Sequence, residues 1–291
     1  MRHRRHRLRG DVEEPGSPIS LGHEAVGRVV EVGANRVTDA VGHPLRPGDR
    51  VYWTVSGPCG RCYACTVLRN QLLCTAPHWP APADVPNAAG FREYATIDSR
   101  LSVFHVPDET PSSAVIAFGC AMPTALGGFR KIGPIAPGAT IVVQGAGPVG
   151  LACTMLAGLA GAEQVIVVGE GERRLDAASR LGATTVLSLD LPVDQREAAV
   201  RELTDGRGAE IVIEAAGHVS AFPEGLSLVA RTGATSCWAS IQGQRPCRSI
   251  QFSSTTSTSP CWAASAQIRA TTSRRSVWPI ATTNDLRCRR S

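Results

Sequence analysis

Residues Ile141-Val142-Val143-Gln144-Gly145-Ala146-Gly147-Pro148-Val149-Gly150 place a G-x-G-x-x-G turn directly after a β-branched run and ahead of an apolar stretch, Leu151 to Leu159. Taken alone the pattern is weak, because any glycine-rich turn can pack a helix on a strand. Here it is followed by Gln164–Val168 as a second strand, Arg173–Leu181 as a helix, Thr185–Leu187 as a short strand and Ile211–Glu214 as another. That alternation is a βαβ series, and it predicts an α/β fold with a doubly wound parallel sheet. The glycines let the backbone approach a pyrophosphate, whose charge sits at the positive end of the following helix. Gly145, Gly147, Pro148, Val149 and Gly150 are therefore the expected cofactor-binding turn.

A second constraint lies upstream. Cys59, Cys62 and Cys65 stand close together, and Cys74 follows. Four soft thiolates so near one another suit the tetrahedral preference of Zn²⁺, and with no ligand position left open such a site is structural. The competing reading is a disulfide pair in a secreted domain. That requires an oxidising compartment, and no hydrophobic signal segment precedes the cluster. The spacing in such a chain reads as metal, and the location as cytoplasmic.

At 291 residues the chain has room for two ordinary domains, and no apolar run approaches the ~18 residues of a membrane span. Its net charge of +5 is unevenly placed. Residues 1–10 carry five Arg and no acid, and residues 234–291 carry eight Arg and one acid, Asp285. The body, 11–233, has 17 basic and 24 acidic residues. The basic total therefore belongs to the ends, neither of which has a nucleic-acid-binding pattern, so neither nucleic acid nor membrane is an expected partner.

Read in order, the body gives Leu21-Gly22-His23-Glu24-Ala25-Val26-Gly27 opening a strand-like run to Gly33, then a Pro47-Gly48 turn feeding a strand. The cysteine lobe follows, then Gly90-Phe91-Arg92-Glu93-Tyr94, then Phe118-Gly119-Cys120-Ala121 ahead of a helix, and finally the glycine turn. Together these motifs resemble the zinc-containing medium-chain alcohol dehydrogenases over about residues 8–233. The resemblance implies a GroES-like, β-rich catalytic domain over 1–108, followed by an incomplete doubly wound Rossmann domain over 109–233. It places a structural zinc on Cys59, Cys62, Cys65 and Cys74, although the last gap is one residue longer than usual in the family.

The same resemblance makes His23 and Cys120 ligands of a catalytic zinc and Glu24 the neighbouring acid that can approach it. Without the family order, His23 would read as a half-buried histidine and Cys120 as a small core residue. The implied chemistry is metal-assisted hydride transfer from a small-molecule alcohol or polyol to NAD or NADP. Cofactor choice is read at the end of the second strand, where an acid normally holds the ribose hydroxyls. Gly169 fills that place, with Glu170, Arg173 and Arg174 after it. Glu170 suits NAD and the arginines suit a 2′-phosphate, so both cofactors stay open. The zinc-free quinone-reductase branch of the superfamily lacks such a cysteine lobe.

Both ends depart from the family. The stretch 234–291 holds 19 Ser or Thr, three of the five Trp and four of the ten Cys, with Cys-Trp-Ala at 237–239 and 261–263. Cys-Trp-Ala is encoded TGY-TGG-GCN, and reading from its third base forces Leu-Gly; the same shift over Ala234–Ala239 and Ser254–Ala263 can give stretches that resemble the strands completing this family's nucleotide domain. At the start, Met-Arg-His-Arg can be written so that one base on it reads Cys-Gly-Thr-Asp, the family's first zinc-ligand motif. These features lead us to expect a frame-shifted, irregular tail after about residue 233 and a catalytic domain lacking its first ligand. On that expectation the nucleotide domain ends at its fourth strand, which becomes an exposed edge. Oligomerisation, which the family achieves through the missing strands, is not expected by that route. The competing function is an inactive remnant that keeps only the structural zinc.

Overall fold

The computed structural model describes residues 21–34, 36–78, 87–237 and 252–253, all within the unit formed by residues 1–254. The first sheet has three antiparallel strands, β1 (Val26–Arg28), β2 (Arg50–Trp53) and β3 (Val103–His105), in that spatial order. Gly48 takes φ +97°, a value that favours glycine, and turns the chain into β2 as the Pro-Gly pair predicts. Val51 and Trp53 point to one side of β2 and pack with Ala25, Leu45, Ala88, Leu101 and Val103. The Trp53 indole N–H donates to Ala88 O at 2.7 Å, so the buried ring leaves no polar atom unpaired. The run from Leu21 to Gly33 forms only three strand residues, because its opening pairs elsewhere: Phe91 N donates to Leu21 O and Gly90 N to Gly22 O.

Between β2 and β3 the chain leaves the sheet as a small lobe with a helical turn α1 (Tyr63–Thr66) and a 3-10 turn (Gln71–Leu73). Gly57 and His78 close its base by exchanging both backbone hydrogen bonds, at 3.0 and 2.8 Å. Two helices, α2 (Ser112–Phe118) and α3 (Ala121–Ile132), then lead to the second sheet.

That sheet contains β4 (Thr140–Gln144), β5 (Gln164–Gly169), β6 (Thr185–Ser188), β7 (Ala209–Glu214), β8 (Val229–Cys237) and β9 (Phe252–Ser253), in the order β6-β5-β4-β7-β8-β9. The first five are parallel, and the connecting helices are α4 (Pro148–Leu159), α5 (Glu172–Arg180), α6 (Val193–Leu203) and α7 (Ala221–Leu228). The residues of β4 are all buried because both faces are covered, which is why it reads as a continuous apolar run rather than an alternation. Ile141, Val143, Val165, Val167 and Ile213 face Ala125 of α3, Ala152 and Cys153 of α4 and Ala178 of α5. Val142, Ile166, Val168 and Val212 face Val200 of α6 and Leu228 of α7 on the other side.

The expectation that the sheet ends at its fourth strand is corrected here. β8 continues through residue 233 to Cys237 and pairs with β7 from Ala209↔Val229 to Glu214↔Cys237, and β9 adds antiparallel to β8. A strand with open N–H and C=O groups is completed by backbone alone, so the pairing does not need the apolar period that the stretch after 233 lacks. Residues 238–251 and 254–291, including Trp238 and Trp262, lie outside the described residues. So do residues 1–20, where the altered first-ligand motif was expected.

Candidate metal and cofactor sites

The lobe brings Cys59, Cys62, Cys65 and Cys74 together, with their sulfurs all within 4.8 Å of one another. Cys62 Sγ lies 3.4 Å from Cys65 Sγ and 3.9 Å from Cys74 Sγ. A tetrahedron of sulfurs about 2.3 Å from a zinc has edges of roughly 3.8 Å, so the set fits that ion. Local backbone prepares the charge. The amides of Thr75 and then Cys65 pull the Cys62 thiol down to about 5, while burial and then the Cys62 sulfur push Cys65 up to about 12. One thiolate is thus cradled by amides with a neighbouring thiol beside it. A divalent cation is what lets all four ionise at this spacing. None of the four is in a disulfide.

The second cluster forms where the first sheet meets the helices. His23 and Glu24 precede β1, Cys120 caps α3, and one ligand atom from each lies within 4.8 Å of the others. His23 is exposed and the other two are half-buried. Burial, then the Glu24 carboxylate, raise the Cys120 thiol above its ordinary value. A cation beside the sulfur would favour its thiolate form. Nitrogen, oxygen and sulfur donors of this kind suit zinc, and three protein ligands leave a coordination position open, as catalytic sites require.

The glycine turn joins β4 to α4. Gly145 takes φ +107°, and a Cβ there would come within 2.7 Å of Ala216 N. A Cβ on Gly150 would stand 1.7 Å from Gly145 O, so α4 can start this close to β4 only with glycine. Gly147 differs: a Cβ on it meets nothing within 4 Å. It is the N-cap of α4, with Pro148 at the first helical position and Val149 and Gly150 in the first turn. The open space above Gly147 is where the backbone can approach a pyrophosphate, so the turn fits a dinucleotide.

At the end of β5, Gly169 is buried beneath the turn, where a Cβ would lie 2.8 Å from Ala146 Cβ. Glu170, Arg173 and Arg174 are all exposed, and Glu170 Oε1 lies 3.5 Å from Arg174 Nη1. Two side chains with opposite cofactor preferences are therefore paired with each other.

Sequence reasoning missed two features. Tyr52 approaches the second cluster from β2. Burial first, then the charges of Cys120 and Glu24, push its phenol up to about 12, so it stays a hydrogen-bond donor. Arg196 and Glu224 form a buried bidentate pair at 2.7 and 3.0 Å between α6 and α7. An isolated Tyr in a strand and an Arg–Glu pair split between two helices leave no local pattern to read.

Residues 2–108 match the family model described as the alcohol dehydrogenase GroES-like domain, and residues 148–280 match that of the zinc-binding dehydrogenases. The second match runs past residue 233, to residue 280. The chain is similar to a 5-exo-hydroxycamphor dehydrogenase of Pseudomonas putida, 39% identical over 229 residues. It is also similar to an L-threonine 3-dehydrogenase of Anaeromyxobacter sp. (strain K), 30% identical over 232 residues. These alignments cover 78% and 79% of this chain but 63% and 62% of the relatives. Among solved structures, an alcohol dehydrogenase from Thermotoga maritima superposes with a TM-score of 0.74 at 33% identity, covering 84% of this chain and 68% of its own. Among the described residues no helix is long and apolar enough to cross a membrane.

Proposed function

The chain belongs to the medium-chain zinc alcohol dehydrogenase family, and from that premise we propose that it transfers hydride from an alcohol to NAD or NADP at the junction where His23, Glu24 and Cys120 meet. One observation carries the reading: three unlike donors, His23 and Glu24 from one segment and Cys120 from another nearly a hundred residues on, converge within 4.8 Å. When bound, zinc supplies Lewis-acid stabilisation of the alkoxide and the nicotinamide accepts the hydride.

The chain's own residues do the rest. His23, Glu24 and Cys120 hold the metal, and the Glu24 carboxylate can instead take up a proton at its free oxygen. Gly145 to Gly150 seat the pyrophosphate on the N-terminus of α4, while Glu170, Arg173 and Arg174 border the adenosine ribose. Cys59, Cys62, Cys65 and Cys74 hold a second, closed zinc that stiffens the lobe. The two named relatives act on molecules that carry a secondary hydroxyl, and we take a small secondary alcohol as the substrate class.

The test is metal content together with turnover. Purified full-length chain should hold two zinc ions, with Cys120→Ser losing one and Cys62→Ser losing the other. NAD(P)H absorbance should rise with a panel of secondary alcohols in the parent and stay flat in Cys120→Ser. A parent with a single zinc, indifferent to Cys120→Ser, would mark the chain as an inactive remnant with the lobe metal alone.

A further inference from the structure

Tyr52 sits in the middle of β2, paired across the sheet with Val26 of β1 and Phe104 of β3. Its neighbours Val51 and Trp53 turn into the core of the first domain, so by strand alternation Tyr52 turns the other way, toward the helices. There its hydroxyl donates to the carbonyl of Gly119 at 2.5 Å. Gly119 follows α2 and directly precedes Cys120. Its φ of −57° is open to any residue, so backbone freedom does not explain the glycine. Space does: a Cβ there would lie 3.0 Å from Tyr52 Cε2 and 3.3 Å from Tyr52 Oη. The ring and the missing side chain fit each other.

Two independent features, a charge-free hydrogen bond and a steric match, therefore fasten the same peptide. That peptide carries a donor of the second cluster. The other two donors, His23 and Glu24, lie just before β1, the strand that pairs with β2. The sheet thus holds one half of the cluster directly and, through one phenol, reaches across to the other half.

We infer that Tyr52 is a positioning residue, whose hydroxyl holds the Gly119–Cys120 peptide in register with His23 and Glu24 so that the three donors can share one metal ion. This rests on the metal reading of that cluster given above. It assigns Tyr52 no contact with substrate or metal. Supporting groups of this sort typically change metal affinity about 10- to 100-fold when removed.

The test uses the full chain stripped of metal and titrated with Co²⁺ alone, followed by thiolate-to-cobalt charge-transfer absorbance. The four-cysteine lobe is the internal control. In the parent we expect two saturable phases, of which Cys120→Ser removes the weaker. Tyr52→Phe keeps the ring and should weaken only that phase, by about tenfold. It should also change the phase's d–d spectrum while leaving the lobe phase and the thermal midpoint unmoved. Gly119→Ala, which retains the hydroxyl but displaces the ring, should reproduce the effect. A Tyr52→Phe chain whose weaker phase keeps parental affinity and spectrum overturns the inference and leaves the metal reading standing. A parent with one phase only overturns the metal reading, and the inference with it.

Discussion

The three glycines of the cofactor turn look alike in sequence and do different work in space. Gly150 is a packing requirement, since a Cβ would stand 1.7 Å from Gly145 O, whereas Gly147 borders open space. Gly150→Ala should therefore lower the thermal midpoint by many degrees, because backbone on both sides has nowhere to go. Gly147→Ala should leave the midpoint within about a degree or two yet cost at least tenfold in NAD(P)H affinity, read by quenching of protein fluorescence. If both variants lose stability equally, the open cradle at Gly147 is not a ligand space. The turn itself was legible because its meaning is local: strand, glycines and helix are contiguous. The cluster of His23, Glu24 and Cys120 was not legible from spacing, only from the order of motifs, because its members meet through tertiary packing. Tyr52 left no trace at all.

At the scale of elements, helices α6 and α7 are joined by Arg196 and Glu224, whose side chains are 5% and 8% exposed. The guanidinium also donates to the carbonyls of Leu189 and Leu191. Removing one partner strands a charge in the interior, so Glu224→Ala should cost about 3–5 kcal/mol in denaturant unfolding. The double change Arg196→Met with Glu224→Leu should recover most of that loss. A different tie fastens the loop after β1 to β3. Asp39 is buried, which raises its pKa, but the amides of His105, His43 and Val41 outweigh burial and bring it down to about 2. Its folded pKa lies below the unfolded one, so the unfolded chain binds the proton first on acidification. The stabilisation is complete above about pH 4 and is lost as pH falls toward about 2. Unfolding followed across that window should show a slope that Asp39→Asn removes. Strands β4, β5 and β7 were readable because a doubly covered parallel sheet demands β-branched runs. β8 was not, since its Thr, Gly, Ala and Ser residues carry no apolar period and its place is fixed by ladder hydrogen bonds.

For the molecule as a whole, the order of the sequence motifs foretold a β-rich domain followed by a parallel sheet, and both are present. The error lay at the far side of the sheet, where odd composition was read as an end to pairing. The lobe bears on the whole chain in another way. Gly57 and His78 already face each other as a hydrogen-bonded pair, as the last residues of a hairpin would. Everything between them can be exchanged for a two-residue Asn-Gly turn that keeps this hydrogen-bonded pair. Such a shortened chain should fold, lose the tighter of its two cobalt phases and keep the weaker, and its midpoint should stay within a few degrees of the parent. Failure to fold would mean that the lobe is needed by the first sheet after all. A segment with its own closure and its own four-cysteine cluster is a transplantable part: seated on a hairpin of matching width, it would carry the proposed metal-dependent rigidity into a protein that never had one.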